Sequence, residues 1–468
     1  MLRLIIISIL IATIGSCSNP PSLLEQVLEI GELRVIARNS PTSFTLNSSG
    51  PTGPEYDLVR AFADTLGVDL VIKSVTSYKE ILPELLSGKF HMVAAGTSLP
   101  KLHQRHLNFG HPYRYDDIHV IYKLGAGRPK SLEDVLGRSI EVLTNSDHVE
   151  LLSSLKESHP SLEWVERDNA EVGDLLAKVS SGDIDLTISN TLDFHIQRHF
   201  YPDLRIGLDL IKDNPISWAF PKDSGDTLLA KADNFLIKSD NDGLITQISD
   251  RYFGFTKKFD YVGTREFIRH FKSRLPQYRE MFEQAGQKWA VDWRLLAAIG
   301  YQESHWLSDA RSPTGVRGIM MLTLDTAADL GLNDRLDPKN SIFGGAQYFS
   351  KQTKRFNSSI EEPDRTWMAL AAYNVGFNHV KDARQIVEWD GGDPNRWIDL
   401  RKALPLLSQR KYYSRLPYGY ARGSEPVSYV NNIRAYYEIL LWLTEKEKIE
   451  SVAENKIDKK IEKSNAEI

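Results

Sequence analysis

The chain has 468 residues, 41% hydrophobic and 25% charged, ordinary globular values that exclude a collagen-like repeat and a wholly disordered chain. Its formal net charge of −5, from 57 basic and 62 acidic side chains, leaves no basic excess to displace counterions from nucleic acid, so nucleic acid is not an expected partner. The length suggests about three domains and allows a large core.

Residues 1–16 begin with Met1-Leu2-Arg3 and continue as a short apolar run, the pattern of a secretory signal peptide. The run is shorter than the ~20 residues that span a bilayer. It ends in Ile14-Gly15-Ser16-Cys17, which resembles a bacterial lipobox and implies that Cys17 is the lipidated first residue of the mature chain. Cleavage at another small residue, with peripheral membrane association, is the alternative. Cys17 is the only cysteine, which excludes an intramolecular disulfide and a cysteine-based metal site. Ser18 follows it where an Asp would signal inner-membrane retention, so the resemblance implies the inner leaflet of the outer membrane.

From about 25 to 256 strand-like and helix-like patterns alternate. Leu33 to Ile36 reads as a strand, and Tyr56 to Leu66 as a helix with Leu58, Val59, Phe62 and Leu66 on one face and Gly67 as its stop. Asp69 to Ile72 and His91 to Ala95 read as further strands, with a helix over Tyr78 to Ser87 between them despite Pro83. Such alternation predicts a mostly parallel sheet covered by helices. A second unit of the same kind runs from about 126 to 214, with strands at Ser139 to Leu143 and Ile184 to Ile188. The chain then returns to the first unit through Ile216 to Phe220 and a helix after Asp226.

Three segments in this half, Gly53-Pro54-Glu55-Tyr56-Asp57-Leu58, Leu86-Ser87-Gly88-Lys89-Phe90 and Phe109-Gly110-His111-Pro112-Tyr113, resemble in order the bacterial family 3 solute-binding proteins. The resemblance implies a two-lobed α/β clamshell of the kind that closes on a small molecule, the alternatives here being a muropeptide fragment, a different small molecule or no ligand. Relatives that bind amino acids hold the carboxylate with an Arg where this chain has His103, and the amine with an Asp where it has Asn190. Neither the bidentate guanidinium nor the countercharge stands at its usual position here. Arg105 lies two positions away as a substitute or as a solvated surface charge.

After Tyr252-Phe253-Gly254-Phe255 and Lys257-Lys258 the pattern from 257 to 445 is helical almost throughout. Residues 446–468 are Glu, Lys, Asn and Ser with isolated Ile, the composition of a frayed or disordered tail. Asp292 is a candidate N-cap, and Leu295, Leu296, Ile299 and Glu303 share one face of the helix that follows. A carboxyl group facing the core is neutralised by desolvation, as a general acid at neutral pH must be. An exposed charge is the alternative for a lone Glu near a helix end.

Glu303-Ser304 is followed by Gly318-Ile319-Met320-Met321, Ala372-Tyr373-Asn374-Val375-Gly376 and Tyr429-Val430-Asn431-Asn432-Ile433. That ordered set resembles the lysozyme-like domain of the lytic transglycosylases. The resemblance implies Glu303 as catalytic acid, with Ser304, Gly318, Met320, Met321, Tyr373, Asn374 and Tyr429 around the substrate. Met321 stands where most relatives have Gln, which removes a side-chain hydrogen bond to the sugar. Ordinary glycosidases need two carboxylates. Asp309 and Asp325 are the nearest further acids and belong to no motif. In the resembled family one Glu suffices, protonating the glycosidic oxygen and then taking the proton from the 6-hydroxyl that closes a 1,6-anhydro ring.

The expected protein is thus a multidomain, membrane-associated cutter of peptidoglycan glycan strands, an α/β clamshell followed by a mostly α-helical domain. Alternatives are a muramidase on the same scaffold and a solute receptor with a non-catalytic glycan-binding domain. No cofactor is implied, and no His/Asp/Glu cluster has metal-ligand spacing.

Overall fold

The computed structural model describes residues 21–466 apart from 48–49, 97, 99–104, 169, 223–226, 258–260 and 313–314. The signal segment 1–16, Cys17 and His103 lie outside the described residues.

Two five-stranded sheets form the first half. One contains β1 (Glu32–Arg38), β4 (Asp69–Val75), β5 (Met92–Val93), β6 (Leu107–Phe109) and β12 (Ala219–Pro221) in the order β4-β1-β5-β12-β6, and β2 (Thr45–Asn47) and β3 (Gly50–Thr52) make a separate hairpin. β1 runs parallel to β4 and β5 and is buried almost continuously, as a central strand covered on both faces must be. β4, at the edge, alternates in exposure. The helix Pro54–Leu66 covers this sheet; it begins with Pro in its first turn and ends at Gly67 with φ 71°.

The other sheet contains β7 (Arg114–Lys123), β8 (Ile140–Leu143), β9 (Val165–Arg167), β10 (Leu186–Asn190) and β11 (Leu204–Ile216) in the order β11-β7-β10-β8-β9. The chain leaves the first lobe along β7 and returns along β11. These two strands pair antiparallel, with Arg114 opposite Ile216 at the lobe junction. Two adjacent connections confine relative motion of the lobes to a hinge. The third strand expected, His91 to Ala95, is regular only over Met92–Val93, although the amides of His91 and Ala94 still donate to the Arg34 and Ile36 carbonyls of β1 at 2.8 and 2.9 Å.

From Tyr261 onward the described residues are helical apart from turns and isolated bridges. The helix Asp364–Val375 is the centre of this half: Met368, Ala369, Leu370, Ala371 and Ala372 are all fully buried. A largely apolar helix has to be enclosed, and here the helices Pro338–Lys354, Phe377–Trp389 and Ser424–Ala466 enclose it. The charged tail continues the helix Ser424–Ala466. Its Glu, Lys and Ala are strong helix formers, and opposite charges recur at helical spacing, as in Glu445 and Lys448.

The two halves are joined through the helix Leu244–Phe253. Arg251 donates to Asp57 at 2.9 Å and to Asp364 at 3.2 Å. Arg434, 2% exposed, donates to the carbonyls of Asp250 and Arg251 at 2.6 and 3.0 Å while lying over the Trp367 ring. Farther out, Phe200 of the second lobe stacks on Trp442 at 4.7 Å.

Candidate active site

Asp292 caps the helix Trp293–Ser304 by accepting from the Arg294 amide at 2.9 Å. Leu295, Leu296 and Ile299 are buried along one stripe, and Glu303 follows Ile299 one turn later. The helix stops abruptly because His305 and Trp306 both take left-handed φ, 53° and 58°. That backbone costs about 1–2 kcal/mol per non-glycine residue. It is held by the Trp306 indole, which turns back to donate to the Ala297 carbonyl at 2.8 Å. Glu303 is thereby fixed in the last turn.

The residue as a whole is half-buried, but its carboxyl is turned out of water. Desolvation pushes its pKa up to about 7, against the one opposing contact, the Tyr429 hydroxyl, which donates to Glu303 Oε1 at 2.6 Å. The negative end of the helix dipole also disfavours the anion. No acidic side chain contributes to the shift among the described residues, and Asp309 and Asp325 are exposed. At neutral pH the group is therefore poised both to give and to accept a proton.

The other motifs converge on this point from separate elements. Ser304 is buried, and its hydroxyl lies 3.0 Å from the Gly300 carbonyl and 2.8 Å from the Ile319 carbonyl, tying the end of the Glu303 helix to the turn 318–321. In that turn Gly318 has φ 92°, and a Cβ there would lie 2.6 Å from the Arg335 carbonyl oxygen, so only glycine fits. Tyr373 donates to the Met320 carbonyl at 3.0 Å. Its ring lies nearly parallel to that of Tyr429, 6.4 Å away, and edge-on to Tyr348 at 5.0 Å. Burial raises the pKa of both Tyr373 and Tyr429, with the Glu303 charge adding to it, so both phenols stay protonated donors.

Met320 is fully buried and wedged against Gly345 and Gly300; its side chain is core, and only its backbone reaches the wall. Met321 is half-buried, with φ 45°. Asn374 is exposed at the end of the helix Asp364–Val375, where Gly376 lets the chain turn directly into Phe377–Trp389. Tyr348 and Ser341, whose hydroxyl accepts from the Met320 amide at 3.2 Å, were missed by the motifs. Their signal in the sequence is only helical phase, with Tyr348 seven residues after Ser341. In the lobes, Asn190 is buried with Oδ1 accepting from His148 Nε2 at 2.9 Å, and Arg105 is exposed. The structure does not bring those two together with Glu303.

The bacterial extracellular solute-binding proteins, family 3, match residues 33–255, and the transglycosylase SLT domain matches residues 280–394. A membrane-bound lytic murein transglycosylase F of Pseudomonas fluorescens is 43% identical over 94% of this chain and 91% of its own length. The chain belongs to the membrane-bound lytic murein transglycosylase F family. Members of that name from Stutzerimonas stutzeri and Hahella chejuensis are 44% and 42% identical over 92% and 93% of the chain. The P235GK mutant of ArgBP from T. maritima aligns with 50% of the chain and 99% of its own at 19% identity, TM-score 0.44. As a lytic murein transglycosylase F the chain is a lyase acting on peptidoglycan, a solute-binding-like unit preceding an SLT domain. Tyr429 lies beyond the SLT match, at the sixth position of the helix Ser424–Ala466. No helix among the described residues is long and apolar enough to cross a membrane.

Proposed function

We propose that the protein cleaves the β-1,4 bond between N-acetylmuramic acid and N-acetylglucosamine without consuming water, leaving 1,6-anhydromuramic ends during cell wall turnover. The observation that carries this is a single carboxyl poised near neutrality beside a phenol, with no acidic partner contributing to its shift. Protonated Glu303 gives its proton to the glycosidic oxygen as the bond to the anomeric carbon breaks. The 6-hydroxyl oxygen of the muramic sugar then bonds to that carbon and returns its proton to the carboxylate. Acid and base are one residue, so the proton count closes. Tyr429 holds the carboxylate toward the bond, Tyr373 and the turn 318–321 form one wall, and exposed Asn374 is placed to meet an acetamido group.

Residues 25–256 act as a non-catalytic receptor for a small molecule such as a muropeptide, and residues 257–445 carry the lyase. Cys17 carries a lipid that holds the protein to the periplasmic side of the outer membrane; failure of labelled palmitate to enter the protein rejects the anchor. Mass spectrometry of murein digested by the purified protein tests the reaction. Anhydromuramic ends are expected; reducing muramic ends would show that water, not the 6-hydroxyl, is the nucleophile.

A further inference from the structure

A second concentration of aromatic and basic side chains lies away from Glu303. Residues 404–423 hold four cations, Arg410, Lys411, Arg415 and Arg422, and no acid, in a chain whose net charge is −5. Arg422 makes an exposed pair with Glu425 at 3.4 Å; the other three pair with no acidic side chain among the described residues. Lys411 and Arg415 lie instead over the rings of Tyr412 and Trp389, at 4.6 and 4.5 Å. Trp389, Tyr418 and Tyr420 are 39%, 44% and 58% exposed, and Tyr420 stands edge-on to Tyr413 at 5.8 Å. Large rings exposed together, rather than scattered singly, mark a surface that meets a partner.

The segment is fastened to the fold. Leu404, Leu407, Leu416 and Ala421 are buried, and the Ala421 amide donates to the Leu407 carbonyl at 3.2 Å. Gly423 passes so close to the Leu404 carbonyl that a Cβ there would collide with it, so the two ends of the excursion touch. Its course follows the helix Phe377–Trp389: the Tyr418 amide donates to Asp382 Oδ2 at 3.1 Å in the middle of that helix, and Arg415 covers Trp389 at its end. The helix begins beside exposed Asn374, and its 13 residues span about 20 Å. At the other side Gly423 leads into the helix Ser424–Ala466, where Tyr429 holds Glu303. The strip therefore starts at the cleft and runs away from it, almost wholly beyond residue 394, where the SLT match stops.

A partner for this strip has to offer flat apolar faces and negative charge together. Pyranose rings present such faces to aromatic side chains, and the peptide stems of murein carry free carboxylates, which guanidinium groups take in a fork. We propose that the strip is a holding surface for peptide-bearing murein, its rings against the sugars and its cations on the stem carboxylates, so that the enzyme prefers strands that keep their peptides to naked glycan. The assignment rests on murein being the substrate of the Glu303 cleft.

The full chain is tested on glycan strands freed of cross-links by an endopeptidase, before and after an amidase has stripped the stems, with chain shortening followed by size-exclusion chromatography. The native protein is expected to cut the peptide-bearing strands with a kcat/KM at least tenfold higher, and the ratio to shrink between about 50 and 300 mM salt as screening grows. The combined variant Arg410→Gln, Lys411→Gln and Arg415→Gln acts on KM rather than kcat and erases the ratio. Tyr420→Ser weakens both strands alike, because a ring meets the sugar whether or not a peptide hangs from it. Thermal unfolding establishes that each variant is folded. Equal cleavage of the two strands by the native protein, or a ratio that the triple variant keeps, overturns the strip. If the triple variant keeps the ratio but, in a Cys17→Ser background, no longer sediments with vesicles of phosphatidylethanolamine and phosphatidylglycerol, the cations serve lipid headgroups instead. Failure of the native protein to cut either strand rejects the reading of the cleft itself.

Discussion

Glu303 is an acid whose neutral form the folded protein prefers. Its pKa of about 7 against 4.5 in the unfolded chain means the native state holds the extra proton between those values, so stability falls as pH rises through that window. Glu303→Gln removes the buried charge: cleavage is abolished, and at pH 7.5 the variant is more stable by about 2 kcal/mol, read as a Tm a few degrees higher. A variant that still cuts rejects Glu303 as the acid. The Tyr429 hydroxyl opposes the rise. Tyr429→Phe therefore moves the alkaline limb of the kcat/KM profile upward while lowering kcat about tenfold. An unmoved limb would reduce Tyr429 to packing. The motif order located both residues, but their contact spans 126 positions, and only packing of the helices Trp293–Ser304 and Ser424–Ala466 against each other brings them within 2.6 Å.

At the scale of elements, the site depends on how the turn 318–321 is fastened. Ser304 and Ser341 tie its backbone, Tyr373 takes the Met320 carbonyl, and Met320 plugs it into the core. Gly318→Ala places a Cβ 2.6 Å from the Arg335 carbonyl at a left-handed φ. It is expected to cost about 2 kcal/mol, seen as a lower urea midpoint, and to raise KM by displacing the wall. A midpoint unchanged within error would show that the turn yields. Helical periodicity found the Glu303 helix and its cap because its stripe is local. The motif resemblance set both methionines around the substrate, and it left Met320's burial open, since whether a side chain points inward from a turn depends on what packs behind it. The tail differs: its composition marks it as a frayed or disordered helix, and its helix propensity extends a helix already nucleated by burial of Val430 and Ile433.

Across the whole molecule, a cluster of arginines and aspartates ties the solute-binding-like unit to the SLT unit. Arg434 serves both, capping the carbonyls of the helix Leu244–Phe253 and covering Trp367 beneath the central helix. Arg434→Met leaves those carbonyls and Asp250 less well matched, at about 2–4 kcal/mol. In scanning calorimetry the variant is expected to resolve two transitions where the native protein shows one. A single transition, merely shifted, would place the coupling elsewhere.

By itself the sequence determined the order of elements, the two lobes with their return crossing and the helix that carries the candidate acid, because periodicity, caps and ordered motifs are local properties of a chain. Only the tertiary structure decided the proton affinity of Glu303, the phenol that holds it, and the division of labour between Met320 and Met321. Each of these is a matter of desolvation or of contact between positions far apart in the chain, and neither is written in any window of residues.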